Sequence, residues 1–216
     1  MLHAMMKVQW KASRHVMIAL AAASLALPVA SVRTGWRGEA TNYATMLNEL
    51  ELWGYLYPVL AMVSAIAMAW AAWRSDRRGN HVYAMLLPVP RWRYVLLRYG
   101  ASGLLLLPLV LAVWIGALAA VFPLDLPSGF RTFPHLLALK YLVALGICFA
   151  MAFAVAAASS RTLGLAVRAV GIFLAVHIAV LLLRPDVNLL WRLATALATW
   201  PGPLSPLGGR WMLIDV

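Results

Sequence analysis

LWGYLYPVLAMVSAIAMAWAAW, residues 52–73, contains no Asp, Glu, Lys or Arg. Wound as a helix at about 1.5 Å per residue it extends about 33 Å, and the hydrocarbon of a bilayer is about 30 Å thick. The stretch therefore reads as a membrane-spanning helix, and the fold depends on how often such a run recurs. Downstream, 99–124 and 141–160 are likewise free of charge and set spans over 96–122 and 137–159, and 165–183 is interrupted only by Arg168, whose long side chain can snorkel to the nearer interface. Upstream, 15–32 is a shorter apolar run preceded by Lys7, Lys11 and Arg14. These runs make five transmembrane helices, in an all-α, polytopic membrane protein with a single transmembrane domain over 1–216.

Composition agrees with this reading. Hydrophobic residues make up 64% of the 216 and charged residues only 12%, against roughly a quarter charged in soluble chains. A chain of this size cannot enclose so much apolar side chain in a water-soluble globule. The net charge of +11 raises nucleic acid as a partner, but the basic residues flank apolar runs instead of forming one stripe, and nucleic acid is excluded on that ground. Short loops of inner-facing topology collect Lys and Arg. With the N-terminus inside, the inner side receives Lys7, Lys11, Arg14, Arg74, Arg77, Arg78, Arg91, Arg93, Arg98, Arg161 and Arg168. The outer side receives Arg33, Arg37, Arg131, Lys140, Arg184, Arg192 and Arg210. Eleven of the 18 favour a cytoplasmic N-terminus and a multi-pass protein of the cytoplasmic (inner) membrane.

Two segments have alternative readings. Basic residues before an apolar run, with Pro28-Val29-Ala30 behind it, also suit a signal peptide; as a span, the run comes after an N-terminal interfacial helix over 1–14 carrying Leu2, Met5, Met6 and Trp10 among its lysines. At the other end, 188–200 is apolar apart from Arg192 but too short to cross, and Pro201, Pro203 and Pro206 prevent a helix from continuing beyond it. It reads as a short outer or re-entrant helix, an incomplete sixth segment. Most of the ten tryptophans fall near span ends, as an interfacial belt does; Trp114 is mid-span and reads as a packing residue.

Chemistry-bearing constellations are scarce. A lone Cys148 excludes an intrachain disulfide, and His3, His15, His81, His135 and His177 have no i, i+4 partner or nearby carboxylate, so no metal site is expected. No G-x-x-x-x-G-K-[ST] loop occurs, so the chain is expected to hold no nucleotide, to carry no cofactor and not to be an enzyme. Gly100-Ala101-Ser102-Gly103 fits the G-x-S-G pattern of rhomboid-like intramembrane serine proteases, with His177 as the base, but Ser102 falls barely a turn past the basic residues while His177 is near mid-span, and small residues packing a helix end are the preferred reading. His177, inside a span, and Glu49 and Glu51, at the mouth of the second, are candidate pathway residues; a neutral interhelical histidine and ordinary helix-start carboxylates are the alternatives. Lys140 reads as snorkelling near the outer end of its span.

Between the second and third spans the composition changes. Arg74-Ser-Asp-Arg-Arg-Gly79-Asn80 leads out, Asn80 is a suitable helix cap, and His81–Leu87 makes about two turns before Pro88 and Pro90. Val82, Met85 and Leu86 share one face of those turns. This cytoplasmic segment, 79–93, either returns the chain or transmits force between two spans. Its block Leu86-Leu87-Pro88-Val89-Pro90-Arg91-Trp92-Arg93-Tyr94 resembles the "LL-x-P-V-S-R" sequence after the second span of ABC-2 type transporter permeases, with Pro90 where serine is commoner. The resemblance extends over most of residues 1–183, and permeases of that family usually have six spans.

That resemblance implies a permease subunit of an ATP-driven exporter. Its coupling segment, comprising His81, Val82, Tyr83, Met85, Leu86, Leu87, Pro88, Arg91 and Arg93, would contact a separate cytoplasmic ABC ATPase subunit, which would bind ATP and Mg. A second copy, or a homologous permease, would complete the pathway within the lipid bilayer. A non-transport membrane scaffold using the same segment to dock another protein is the alternative.

Overall fold

A computed structural model of the chain describes residues 2–35, 50–78, 90–124, 130–158, 160–184 and 188–215. Five helical stretches among them are long and apolar enough to cross a membrane, one of which, Trp92–Val121, is broken by a turn into two shorter helices, so the chain is an all-α protein of multi-pass character. The elements are α1 (Leu2–Gly35), α2 (Leu56–Arg78), α3 (Arg91–Leu104), α4 (Leu107–Val121), β1 (Arg131–Thr132), α5 (Pro134–Ala157), α6 (Ser160–Leu183), α7 (Leu189–Ala198), a 3₁₀ turn at Ser205–Leu207 and β2 (Ile214–Asp215). They form two compact units, residues 1–153 with 210–216, and residues 154–209.

Segmentation differs from the sequence expectation at two places. Interfacial helix 1–14 and span 15–32 are one uninterrupted helix, α1. The change of composition at Arg14–Val16 alters what surrounds the helix but supplies no breaker, and the Ser13 hydroxyl is satisfied within it by the Gln9 carbonyl at 2.8 Å. Conversely, the single run 96–122 is two helices. Pro108 has no N–H to donate to the Leu104 carbonyl. The chain instead turns through Leu105 and Leu106, with Leu106 N–H donating to Gly103 and Leu109 N–H to Leu106, both at 3.0 Å, and restarts with Pro108 in the first turn of α4.

In the larger unit α1 runs parallel to α3 and α4. Gln9 lies beside Arg98 and Ser102 at one end. Farther along, a side chain on Gly116 would meet the Leu25 carbonyl at 2.4 Å, so only glycine permits this crossing. Helices α2 and α5 run the opposite way: Trp73 and Phe153 meet near the Arg98 end, while Tyr57 meets Trp211 at the other. Small residues line the contacts, with Ala61, Ala65, Ala117 and Ala144 fully buried beside Tyr141, Leu109 and Phe149. Lipid tails are as apolar as leucine, so close backbone approach through small residues, and not exclusion from water, holds such helices together. The outer faces carry exposed Ile66, Leu111 and Val155, as surfaces bathed in hydrocarbon do.

The end opposite Arg98 is closed by a tail that the sequence reading did not anticipate. Residues 210–215 return to the larger unit, where β2 pairs antiparallel with β1 through Thr132↔Ile214 and Arg131↔Asp215. Trp211, Leu213 and Ile214 are buried there. The Trp211 ring stacks on Tyr57 at 6.1 Å, and its carbonyl lies where a Cβ on Gly54 would stand, 2.9 Å away.

In the smaller unit α6 is largely exposed, and α7 is the short helix expected at 188–200. Asn188 caps α7 by accepting from Trp191 N–H at 2.8 Å. Leu204 N–H donates to the Leu197 carbonyl at 2.9 Å, which folds the proline-rich segment back along the helix.

Candidate functional site

The densest polar cluster in the larger unit is a joint between α1, α2 and α3. Arg98, the last cation before the apolar run of α3, is 4% exposed. Its Nε donates to the Ala72 carbonyl at 2.7 Å, Nη2 donates to the same oxygen, and Nη1 donates to the Tyr94 hydroxyl one turn earlier. The guanidinium also lies over the Trp73 ring at 4.7 Å and the Tyr94 ring at 5.5 Å. A planar, delocalised cation is suited to both contacts, donating in its plane and stacking on its face.

From the α1 side, Gln9 donates through Nε2 to the Arg98 carbonyl at 3.4 Å and offers Oε1 to the Ser102 hydroxyl at 2.9 Å. The same hydroxyl has the Arg98 carbonyl at 2.8 Å as its other acceptor. Both acceptors are amide oxygens, neither a base able to activate a nucleophile. The chemistry here is structural: charge-assisted bonds in a dry site fix three helix ends relative to one another.

Deeper in the bundle, a second set of hydroxyls joins α1, α2 and α5. Tyr141 faces Ser24 and Ser64, and Tyr57 faces Ser31, without aligning as direct hydrogen bonds. Ser31 donates instead to the Pro28 carbonyl at 2.8 Å. At the far end, Lys140 does not simply snorkel: its Nζ donates to the Arg210 carbonyl at 2.8 Å and lies 4.7 Å from the centre of the Trp211 ring. Trp114, expected as a packing residue, donates from its indole N–H to His135 Nδ1 at 3.0 Å.

Of the sequence-predicted site residues, His81, Val82, Tyr83, Met85, Leu86, Leu87, Pro88 and Glu49 lie outside the described residues, as does the Asn80 cap. Arg91 begins α3. Arg93 is exposed and sits 5.1 Å from the centre of the Trp92 ring. Glu51 is at 3.9 Å from Arg210 in a solvent-facing pair. His177 is the buried residue among the described positions of α6, and its Nδ1 has no hydrogen-bond partner. Gln9 and Arg98 were missed as a pair. The signal available was the i, i+4, i+8 series Tyr94, Arg98, Ser102 on one face of α3, which aims three polar side chains at a common neighbour.

No family model, curated protein or solved structure matches the chain.

Proposed function

We propose that the chain is the membrane-spanning permease subunit of an ATP-driven exporter of the ABC-2 type, in the cytoplasmic membrane with its N-terminus inside. The observation that supports this reading best is the joint at Arg98. Segment 79–89 connects α2 to α3, and Arg98 on α3 is bonded to the Ala72 carbonyl near the end of α2. Gln9 adds α1 to the same joint. A segment whose two flanks are fastened together cannot be displaced by a partner without carrying three helix ends with it, and coupling of ATP hydrolysis to transport requires such a mechanical link. By the resemblance, the partner is a separate cytoplasmic ATPase binding ATP and Mg, and the pathway forms with a second permease copy or a homologous permease. Glu49, Glu51 and His177 remain its candidate lining.

The test is extraction of the tagged chain in mild neutral detergent, then measurement of ATP hydrolysis in the purified complex with and without Leu86→Asp. An ATP-hydrolysing protein is expected to co-purify. The substitution is expected to lower its coupled activity by roughly tenfold or more, since a carboxylate forced into an apolar contact costs a few kcal/mol. A complex without an ATP-binding subunit, or an intact complex indifferent to Leu86→Asp, rejects the permease reading and leaves the scaffold.

A further inference from the structure

We infer that the N-terminal half of α1 is a docking surface for anionic phospholipid headgroups, with Lys7, Lys11 and Arg14 as the groups that engage the phosphates. This rests on the multi-pass character of the chain, not on transport.

The first observation is direction. At about 100° per residue, Lys7, Lys11 and Arg14 fall within about 60° of one another around the helix axis, and Gln9 lies about 170° from the centre of that arc. Gln9 and Ser13 are buried against the bundle, whereas Lys7, Lys11 and Arg14 are all exposed. The basic stripe thus points away from the protein, into whatever surrounds it.

Depth identifies what that surrounding is. Gln9 is level with Arg98, to whose carbonyl it donates, and Arg98 reaches the Ala72 carbonyl. Next to these positions the charge-free runs of α2 and α3 end, at Trp73 and Tyr99. This level is therefore where hydrocarbon gives way to headgroups. Measured along α1 from Gln9, Lys7 lies about 3 Å outside the level, and Lys11 and Arg14 lie about 3 and 7.5 Å inside it. Helical side chains lean toward the N-terminus, and long cationic ones snorkel the same way. Both deeper charges are thereby returned to a headgroup layer about 5–7 Å thick. On a lipid-facing side, charges that end within the headgroup layer on residues rooted at or below the hydrocarbon boundary are screened from an acidic soluble protein by the lipids themselves, whose phosphates are already at that depth.

Charge completes the case. No Asp or Glu occurs before Glu39, so α1 offers the stripe no internal anion, and the polar contact on its side chains is Arg14 Nε to His15 Nε2 at 3.2 Å. Trp10, 45% exposed beside the stripe, suits the same interface as an anchor. On α3, exposed Trp92 and Arg93 line an open groove of about 340 Å³ with Leu96 and Leu97, which adds an apolar surface of the kind an acyl chain would cover.

The test uses the full chain in neutral detergent, titrated with phosphatidylglycerol or phosphatidylcholine and read by native mass spectrometry. Wild type is expected to bind phosphatidylglycerol more tightly. Each of Lys7→Gln, Lys11→Gln and Arg14→Gln should weaken that binding roughly fivefold, and all three together on the order of a hundredfold. Lys7→Arg with Lys11→Arg should retain it, and Arg131→Gln with Arg210→Gln at the other end should leave it unchanged. If the triple variant loses its helical circular dichroism, the single variants carry the test. Equal affinity for the two lipids, undiminished binding by the single and triple variants, or an equal loss from the Arg131 and Arg210 changes would overturn the assignment.

Discussion

Gly116→Ala is the sharpest test of how the larger unit is held together. A methyl group at this position would stand 2.4 Å from the Leu25 carbonyl oxygen and 3.1 Å from its carbon. Ordinary contact begins near 3.4 Å, so α1 and α4 must separate by about 1 Å. Both clashing partners are backbone, and no rotamer change relieves them. A gap of that size forfeits a quarter to a half of the dispersion well for each atom pair it opens. The pairs concerned belong to a buried face made of Leu109, Ala112, Val113, Ala117 and Ala120. Overpacking of this kind costs about 1–3 kcal/mol, partly offset by the ~1 kcal/mol that alanine gains over glycine inside a helix. Because both clashing partners are backbone, the cost falls in the upper part of that range, about 2–3 kcal/mol, and a net loss of about 1–2 kcal/mol is expected. Gly146→Ala in α5 is the internal control, because nothing lies within 4 Å of its methyl group; it should be neutral or stabilising by up to about 1 kcal/mol. The assay is unfolding by sodium dodecyl sulfate from neutral micelles, monitored by tryptophan fluorescence and helical circular dichroism. Two variants shifting in the same direction, or Gly116→Ala matching wild type, would refute the close crossing of α1 and α4.

Arg98→Met should destabilise the larger unit by about 2–4 kcal/mol in the same assay, since it removes donors to the Ala72 carbonyl and the Tyr94 hydroxyl from a buried site. Arg98→Lys should recover less than half of that loss, because an ammonium cannot bond in plane while stacking on Trp73; full recovery would show that charge alone matters. Trp211→Ala should cost about 3 kcal/mol and expose the tail to protease, given the stacking on Tyr57 and the cation of Lys140 over its ring. A tail equally protected in both proteins would contradict its role as a closure of that end.

The number and rough position of the long apolar helices were legible because they depend on one quantity, the length of a run with little or no charge. Residues 52–73 needed no partner to be read, and neither did 137–159 or the short helix expected at 188–200, although its Asn188 cap was not singled out. The features that escaped depend on pairs of residues distant in sequence. The separation of 1–14 from 15–32 rests on composition, which reports the solvent around a helix, whereas continuity is decided by the backbone, and nothing there interrupts α1. Pro108 is visible in the third run, yet its effect requires knowing that the Leu105–Leu106 turn can rebond through Gly103. Trp211 could not be assigned at all, since six residues after a proline-rich stretch carry no periodicity, and its place depends on Gly54 leaving room for its carbonyl. In the sequence, Arg98 is one of the eleven basic residues that the expected topology puts on the inner side. Its difference from the others is burial, which a sequence does not display.

The two ends of the larger unit are closed by bonds that differ in burial, and this bears on which of them can move. At the Trp211 end the tail is held by stacking, a two-residue ladder, the Lys140 ammonium in an exposed bond to the Arg210 carbonyl and over the Trp211 ring, and a solvent-facing Glu51–Arg210 pair, an exposed ion pair of a kind worth at most about 1 kcal/mol. Each of these can be exchanged for water or lipid contact in small steps. At the Arg98 end the bonds are charge-assisted and buried, so breaking one strands a desolvated guanidinium or carbonyl and costs several times as much. A displacement applied near Arg98 is therefore opposed by a stiff joint and moves α1, α2 and α3 together. At the far end the polar bonds of Lys140 and Glu51 are exposed and can be exchanged for water one at a time. An exporter driven from the Arg98 end would need that distribution of stiffness, fixed where force enters and yielding where the opposite face opens.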